Sequence, residues 1–354
     1  MTAVVACHGD RVPGLRRDQD LTRFNTLGLP ARAAWFAQAY TQEQLSVLLA
    51  WASERGLPVL PIGEGSNLVL HSRYPGLVVR IRLRGRRVQA APPAGDSVLV
   101  TAAAGENWDD FVRWTLVQGY SGLENLSLIP GCVGGAPVQN VGAYGMEIAR
   151  VLHQLTALDL QGTELRLQAE DCQFAYRDSL FKRLAGASPV ITRVTFRLSR
   201  RFVPCLDYAP LRAAVENNYA APDSVSAHQV RALVCDLRRN RLPDPAHLAN
   251  AGSFFGNPVV TAQEHACLVR DHPGIVAFPV AGQRWKLAAA WLVEACGFKG
   301  VRESSGAGVY HRHALVLVNH GGANGESILS LAARIQKAVH QRFGVQLQIE
   351  PRVS

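Results

Sequence analysis

Helix and strand signals alternate along the whole chain, with no repeat period and no low-complexity tract. The segment "TQEQLSVLLAWASERG" (41–56) predicts a helix with both ends marked. Thr41 and Gln44 form a capping box, and Gly56 supplies a left-handed stop. "LPVLPIG" then predicts a short buried strand, followed by the turn "GEGSN" and the apolar "LVL". "SVLVTAAAG" (97–105) reads as a strand, and "NWDDFVRWTLVQG" (107–119) as a helix from an Asn cap to a Gly stop. "VLHQLTALDLQGTELRLQ" (151–168) reads as a hairpin around Gln161-Gly162. A second capping box, Ser226 with Gln229, opens a helix in "SAHQVRALVCDLRRNRLPDP" (226–245). Pro243 and Pro245 end that helix and mark the clearest domain boundary. Beyond them come a strand, helices over 261–272 and around "KLAAAWLVEACG", the strand "HALVLVN", a long helix over 325–343 and a last strand. In that last strand Val345, Leu347 and Ile349 alternate with Gln346, Gln348 and Glu350, so the pattern alone puts Glu350 on a solvated face. Strands and helices are partly segregated, which gives an α+β class.

At 354 residues, 48% hydrophobic and 18% charged, the chain has material for two or three domains and little room for disorder. No apolar run approaches membrane-spanning length, so no membrane insertion is expected. "MTAVVACHGDRVPGLRRDQD" lacks the apolar stretch and small-residue cleavage site of a signal peptide, and residues 1–20 read as a frayed lead-in. Seven scattered cysteines, with no close pair at zinc or redox spacing, fit buried thiols in a reducing cytoplasm. Cys132 among them reads as a small apolar filler. A net charge of +9 favours anionic partners: nucleic acid, an acidic surface or phosphorylated small molecules. "RIRLRGRR" (80–87) alternates like a strand without stacking aromatics beside it, so nucleic acid is the weaker choice.

Two glycine-rich stretches add chemistry to this outline. "PIGEGSNLVL" (61–70) sets two glycines, a serine and an asparagine between apolar strands. "SLIPGCVGGAPVQNVGAYG" (127–145) repeats glycine among few charges. Without Cβ atoms such loops bring backbone N–H groups close enough to ring a phosphate oxygen. Either stretch alone also reads as ordinary tight turns, and neither has the strand–loop–helix setting of a Rossmann fingerprint. Together in a basic chain they point to a bound nucleotide cofactor.

The motifs "PIGEGSN", "IPGCVGGAPVQNVGAYG", "AYRDSLFK", "RLPDP", "AGSFFGNP" and "KLAAAWLVEACG", in that order, resemble the UDP-N-acetylenolpyruvoylglucosamine reductase family from about Asn25 onward. The resemblance implies a two-subdomain FAD-binding fold of the vanillyl-alcohol-oxidase (PCMH) type over 21–200, connecting helices over 201–240, and an α/β substrate domain over 241–354. It implies non-covalent FAD, NADPH as reductant, and UDP-N-acetylglucosamine enolpyruvate as substrate. A cytoplasmic monomer without a metal is expected. FAD is expected on Pro61, Gly63, Gly65, Ser66, Asn67 and Leu68 of the first loop. In the second it is expected on Ile129, Gly131, Gly134, Gly135, Gln139, Asn140, Gly142, Ala143 and Tyr144.

The implied reaction reduces a carbon–carbon double bond that carries a carboxylate, and the resulting enolate needs charge stabilisation and one proton. The resemblance assigns the proton to Ser253 of "AGSFFGNP", which read alone is a turn hydroxyl between Gly252 and Gly256. It assigns charge stabilisation to Arg177 of "FAYRDS", whose planar fork suits a carboxylate. Read alone, Arg177 is an ion-pair partner for Asp178 or Asp171. Glu350 is the third group, and its role needs the acid form or a bridging water. Substrate contacts are expected at Tyr176, Tyr208, Arg241 and Asn257, with Tyr208 on the closing loop of the longer, type I form. Arg238 and Arg239 accompany Arg241 as candidates for the UDP diphosphate or the NADPH phosphates. The sequence departs from the family at Phe278, where relatives can carry a substrate-binding tyrosine, and at Arg241, where many carry lysine. It also stops at Ser354, soon after Glu350, which predicts a weakly anchored last strand. A flavin oxidase or dehydrogenase of alcohols or aldonolactones, and a non-catalytic nucleotide-sugar or nucleic-acid binding module, are the alternatives.

Overall fold

The computed structural model describes residue 12 and residues 14–89, 95–219 and 225–354. Most of the expected lead-in, with Cys7, therefore lies outside the described residues. Its end is not frayed: Arg16–Asp20 form β1, an edge strand antiparallel to β2 (Arg32–Ala39). After β2, α1 (Gln42–Glu54) crosses over to β3 (Val59–Ile62), and β4 (Leu68–Val69) leads into β5 (Arg73–Ile81). The first sheet has the order β1-β2-β5-β3, with β2 and β3 both parallel to β5. Parallel neighbours need a crossover, and α1 supplies it. Both halves of its predicted capping box form, and Gly56 turns left-handed at φ +61°.

The second sheet is antiparallel. Its strands are β6 (Arg86–Gln89) and β7 (Ser97–Ala103), followed after α2 (Trp108–Val117) and the short hairpin β8 (Gly142–Ala143)–β9 (Met146–Glu147) by β10 (Leu152–Leu158), β11 (Glu164–Gln168) and, after α3 (Leu180–Arg183), β12 (Val190–Ser199). The order is β11-β10-β12-β7-β6. The β10–β11 hairpin turns through Gly162 at φ +84°, as predicted. One large core joins α1, the first sheet, α2 and the second sheet around Trp108, Phe111 and Phe196.

Helices α4 (Ala209–Asn218) and α5 (Ala227–Arg241) form a small core of their own around Leu211, Val215, Val230 and Val234. Leu242, restricted by the proline after it, is extended and ends α5. Then follow β13 (Ala249–Ser253), β14 (Val259–Thr261), α6 (Ala262–Asp271), β15 (Ala277–Val280), β16 (Arg284–Leu287), α7 (Ala289–Ala295), β17 (Ala307–Val309), β18 (Val316–Asn319) and α8 (Gly325–Phe343). They make two three-stranded sheets, β13-β18-β17 and β14-β16-β15, over a core that also takes in Leu27, Leu29 and Val69.

The tail corrects two expectations. Residues 345–350 are not a ladder-forming strand, since only Ile349 bridges to Phe255. The alternation is real at its start, where Val345 and Leu347 are buried and Gln346 and Gln348 are exposed. Glu350 breaks it, with a side chain only 11% exposed. Nor is the tail weakly anchored: β19 (Arg352–Val353) pairs in parallel with β4, and the Ser354 carbonyl accepts from the His71 N–H at 2.8 Å.

Candidate active site

The two glycine-rich loops face each other across a cleft. It is lined by Pro61, Gly63, Gly65, Ser66, Asn67 and Leu68 on one side and by Ile129, Gly131, Gly134, Gly135 and Gln139 on the other. The Ser66 hydroxyl donates to the Pro130 carbonyl at 3.0 Å, and the Asn67 amide donates to the Gln139 side chain, so the loops are tied together. Gly65 has no substitute. At φ +66° its backbone is left-handed, and a Cβ there would lie 2.1 Å from the Phe24 carbonyl oxygen. No group among the described residues accepts from the N–H groups of Gly65, Ser66 and Asn67. Such consecutive free donors are what an anion needs.

Charge in the cleft is nearly cancelled. Glu64 pairs with Arg80 at 3.1 Å, which leaves Arg352 as the unmatched ion of the lining. Sequence reasoning missed Arg352, because the pairing that brings it there is between distant segments. Burial disfavours its charged form. Cys132 is the filler expected: its sulfur sits where a Cβ on Gly63 would be, and burial pushes its thiol up.

Four residues assigned to the flavin by resemblance stand outside this lining. Asn140 is buried and uses its whole side chain within the protein, donating to Glu147 at 2.8 Å and to the Ala175 carbonyl at 3.0 Å and accepting from the Ala149 N–H. It links the second loop to the turn carrying Arg177. Gly142 lies against that turn, where a Cβ would come within 3.1 Å of the Arg177 guanidinium. Ala143 follows it on the same short strand. Tyr144 points towards the α4–α5 region, its ring edge-on to Tyr208 at 5.4 Å.

Arg177 sits in a tight turn closed by reciprocal hydrogen bonds between Ala175 and Asp178, of 3.0 and 3.1 Å. Its own φ is +55°, a region that costs an arginine about 1–2 kcal/mol. Neither predicted acid pairs with it: Asp178 takes Arg183, and Asp171 accepts from the Gln168 N–H. Its Nε lies 3.3 Å from the Glu350 carboxylate. Burial raises the Glu350 pKa against the opposing pull of Arg177 and Lys182. Tyr176 presents its ring to Arg177 at 5.5 Å and to the Lys286 ammonium at 5.1 Å, with Asn257 at its hydroxyl. Lys286 was not singled out from the sequence; it is paired across β15–β16 with the half-exposed Phe278.

Ser253 ends β13 beyond an irregularity in its pairing with β18, where Gly252 adopts φ +71°. Such a bulge re-aims the next side chain. The Ser253 side chain is half-buried, while Phe254 and Phe255 behind it are fully buried. Glu350 donates its N–H to the Phe254 carbonyl at 2.9 Å, so Glu350 lies beside the residue that follows Ser253. Further along, Arg241 at the end of α5 reaches the Tyr208 hydroxyl at 3.5 Å. Arg238, one turn back, lies against Tyr144, and burial lowers its pKa.

The comparisons with known proteins decide the family. Residues 244–354 match the C-terminal domain of UDP-N-acetylenolpyruvoylglucosamine reductase, and residues 33–168 match an FAD binding domain. The enzyme of that name from Pseudomonas aeruginosa is 49% identical over 338 residues, covering 95% of this chain and 98% of its own. That from Pseudomonas fluorescens is 48% identical over the same shares. The chain belongs to the UDP-N-acetylenolpyruvoylglucosamine reductase family. A solved structure of the reductase from Thermus caldophilus superposes with a TM-score of 0.65 at 25% identity, covering 96% of this chain and 99% of that one. The expected α+β class holds, and the chain is an FAD-binding oxidoreductase. The cleft fits FAD on its own terms, with free N–H donors on a left-handed glycine and one unmatched cation.

Proposed function

We propose that Arg177, Glu350 and Ser253 are the groups with which this chain reduces the enolpyruvyl ether of UDP-N-acetylglucosamine to UDP-N-acetylmuramate, using NADPH, in peptidoglycan precursor synthesis. When bound, reduced FAD supplies a hydride to the terminal carbon of the enolpyruvyl group. The protein then has to stabilise charge that spreads into the substrate carboxylate, and to protonate the neighbouring carbon. Arg177, held by its turn, offers two parallel donors to that carboxylate. Glu350, favoured in its acid form by burial, donates a hydrogen bond to the developing enolate instead of repelling it. Ser253 gives the proton. A hydroxyl is a weak acid, but an enolate is a strong base, and the buried phenylalanines behind the serine limit competing water.

The observation that carries the reading is the meeting of Arg177 and Glu350 at 3.3 Å, next to the strand that ends in Ser253. FAD is assigned to the cleft residues of both loops, with Arg352 as the cation for its diphosphate. Tyr176 and Asn257 are assigned to the sugar end of the substrate, and Tyr208 and Arg241 to its diphosphate. Cytoplasmic location is supported by six described cysteines that are all free and by the absence, among the described residues, of a helix long and apolar enough to cross a membrane.

Stopped-flow measurement of the two half-reactions tests the assignment. Ser253→Ala should keep its flavin and near-normal reduction by NADPH. Reoxidation by the enolpyruvyl substrate should slow by ~10²–10⁴-fold, the range for loss of a general acid. Equal slowing of both halves would make the hydroxyl structural.

A further inference from the structure

We infer that Lys182 is a positioning residue for the pair Arg177–Glu350: its ammonium holds the Arg177 carbonyl and faces its charge towards the Glu350 carboxyl. The inference rests on the roles just given to Arg177 and Glu350.

Three observations carry it. Lys182 Nζ donates to the Arg177 carbonyl at 3.1 Å, which pins the one residue of the turn that has a left-handed backbone. A left-handed arginine persists only where its surroundings hold it, and the Lys182 bond to its carbonyl adds to the Ala175–Asp178 bonds that close the turn. Lys182 is half-buried and, among the described residues, has no carboxylate within ion-pair distance. A half-sheltered ammonium bonded to a carbonyl and to no carboxylate keeps its charge available to a nearby group. The carboxyl it acts on is Glu350, whose ionised form it favours alongside Arg177.

The element carrying Lys182 is fixed from the cofactor side. Ser179 caps the short α3 by accepting from the Lys182 N–H at 3.4 Å and donates its hydroxyl to the Val138 carbonyl at 2.6 Å. Val138 lines the flavin cleft. Lys182 thus stands between the cofactor loop and the acid. The groups facing Glu350 are Arg177 and Tyr176 from the turn and Lys182 from α3; residues 254–256 offer it only main chain.

The test uses the FAD-loaded full chain and measures both half-reactions across pH. Lys182→Met should keep NADPH reduction within about twofold and slow reoxidation at least about tenfold, the scale of a misplaced catalytic group. Its alkaline limb should move to higher pH, because a cation that favours ionised Glu350 is gone. Lys182→Gln keeps a donor for the Arg177 carbonyl without the charge, so it should show the moved limb with much of the rate retained. Lys182→Arg should recover both rate and limb. Equal slowing of both halves, an unmoved limb in Lys182→Gln, or an arginine variant no better than methionine overturns the proposal. Glu350→Gln measured alongside separates the two failures. A limb that survives in Glu350→Gln removes the role of Glu350 itself. A limb lost there but unmoved in Lys182→Gln overturns only the part given to Lys182.

Discussion

Along the cleft proposed for FAD, the lining offers main-chain N–H groups and small residues of two continuous loops, with charge almost cancelled. Around Glu350 the structure gathers charged side chains from the 175–178 turn, α3, β16 and the tail. The first site spends little side-chain chemistry and depends on backbone geometry. The second uses a strained arginine, a buried acid and a lysine bonded to a carbonyl in place of a carboxylate. A cradle that only holds a cofactor works with neutral dipoles, whereas a site that meets charge appearing during reaction needs ions already in place. Mutations in the two regions should therefore fail differently.

The largest expected effect is at the ionic site. Arg177→Ala should slow reoxidation by ~10²–10³-fold, as for loss of a preorganised donor, and leave the flavin spectrum unchanged. A variant that instead loses its flavin would erase the contrast between the regions. Gly65→Ala is the reciprocal test. It forces a Cβ to 2.1 Å from a carbonyl oxygen on a left-handed backbone, a strain of about 1–3 kcal/mol. FAD affinity, measured by fluorescence on dilution, should fall roughly tenfold to a hundredfold, while the fraction still loaded reoxidises normally.

Arg241→Ala lies outside both regions and sharpens their borders. Loss of one charge-assisted contact costs about 1.5–3 kcal/mol, so the KM for substrate or NADPH should rise roughly tenfold to a hundredfold with flavin content intact. Unchanged values for both ligands would take Arg241 out of the site. The smallest effect is on stability. Glu350 has a raised pKa in the folded chain, so its proton is bound more tightly there than in the unfolded chain. Its contribution is fully present below the ordinary carboxylate pKa of 4.5 and is lost as pH rises through the raised value. Glu350→Gln, which mimics the acid form, should raise Tm by a few degrees at neutral pH and not at acid pH, even as it slows turnover.

The same contrast explains what could be read before any fold was known. Capping boxes at Thr41 and Ser226, the Gly56 stop and the 151–168 hairpin are local devices, and each stands where its residues put it. The cleft residues 61–68 were legible because backbone recognition demands glycine, and glycine shows in a sequence. Glu350 was legible only through family resemblance, since its alternation with Gln346 and Gln348 pointed to solvent. Burial came from contacts with residues 254–256 and Arg177, which no local pattern encodes. Asn140 and Tyr144 are assigned to the cofactor by family resemblance alone. In the fold Val141 still lines the cleft, while the Asn140 side chain meets Glu147 and Ala175 and the Tyr144 ring meets Tyr208. Lys182, Lys286 and Arg352 carried no signal of their own.

The pairing of residues 352–354 with 67–71 sets an order of events during synthesis. The glycine loop leaves the ribosome early, when the strand beside it and the cation of its cleft have not yet been translated. β19 can dock only after residues 352–353 have been made, so the glycine loop acquires its neighbouring strand and the cation of its cleft long after its own synthesis.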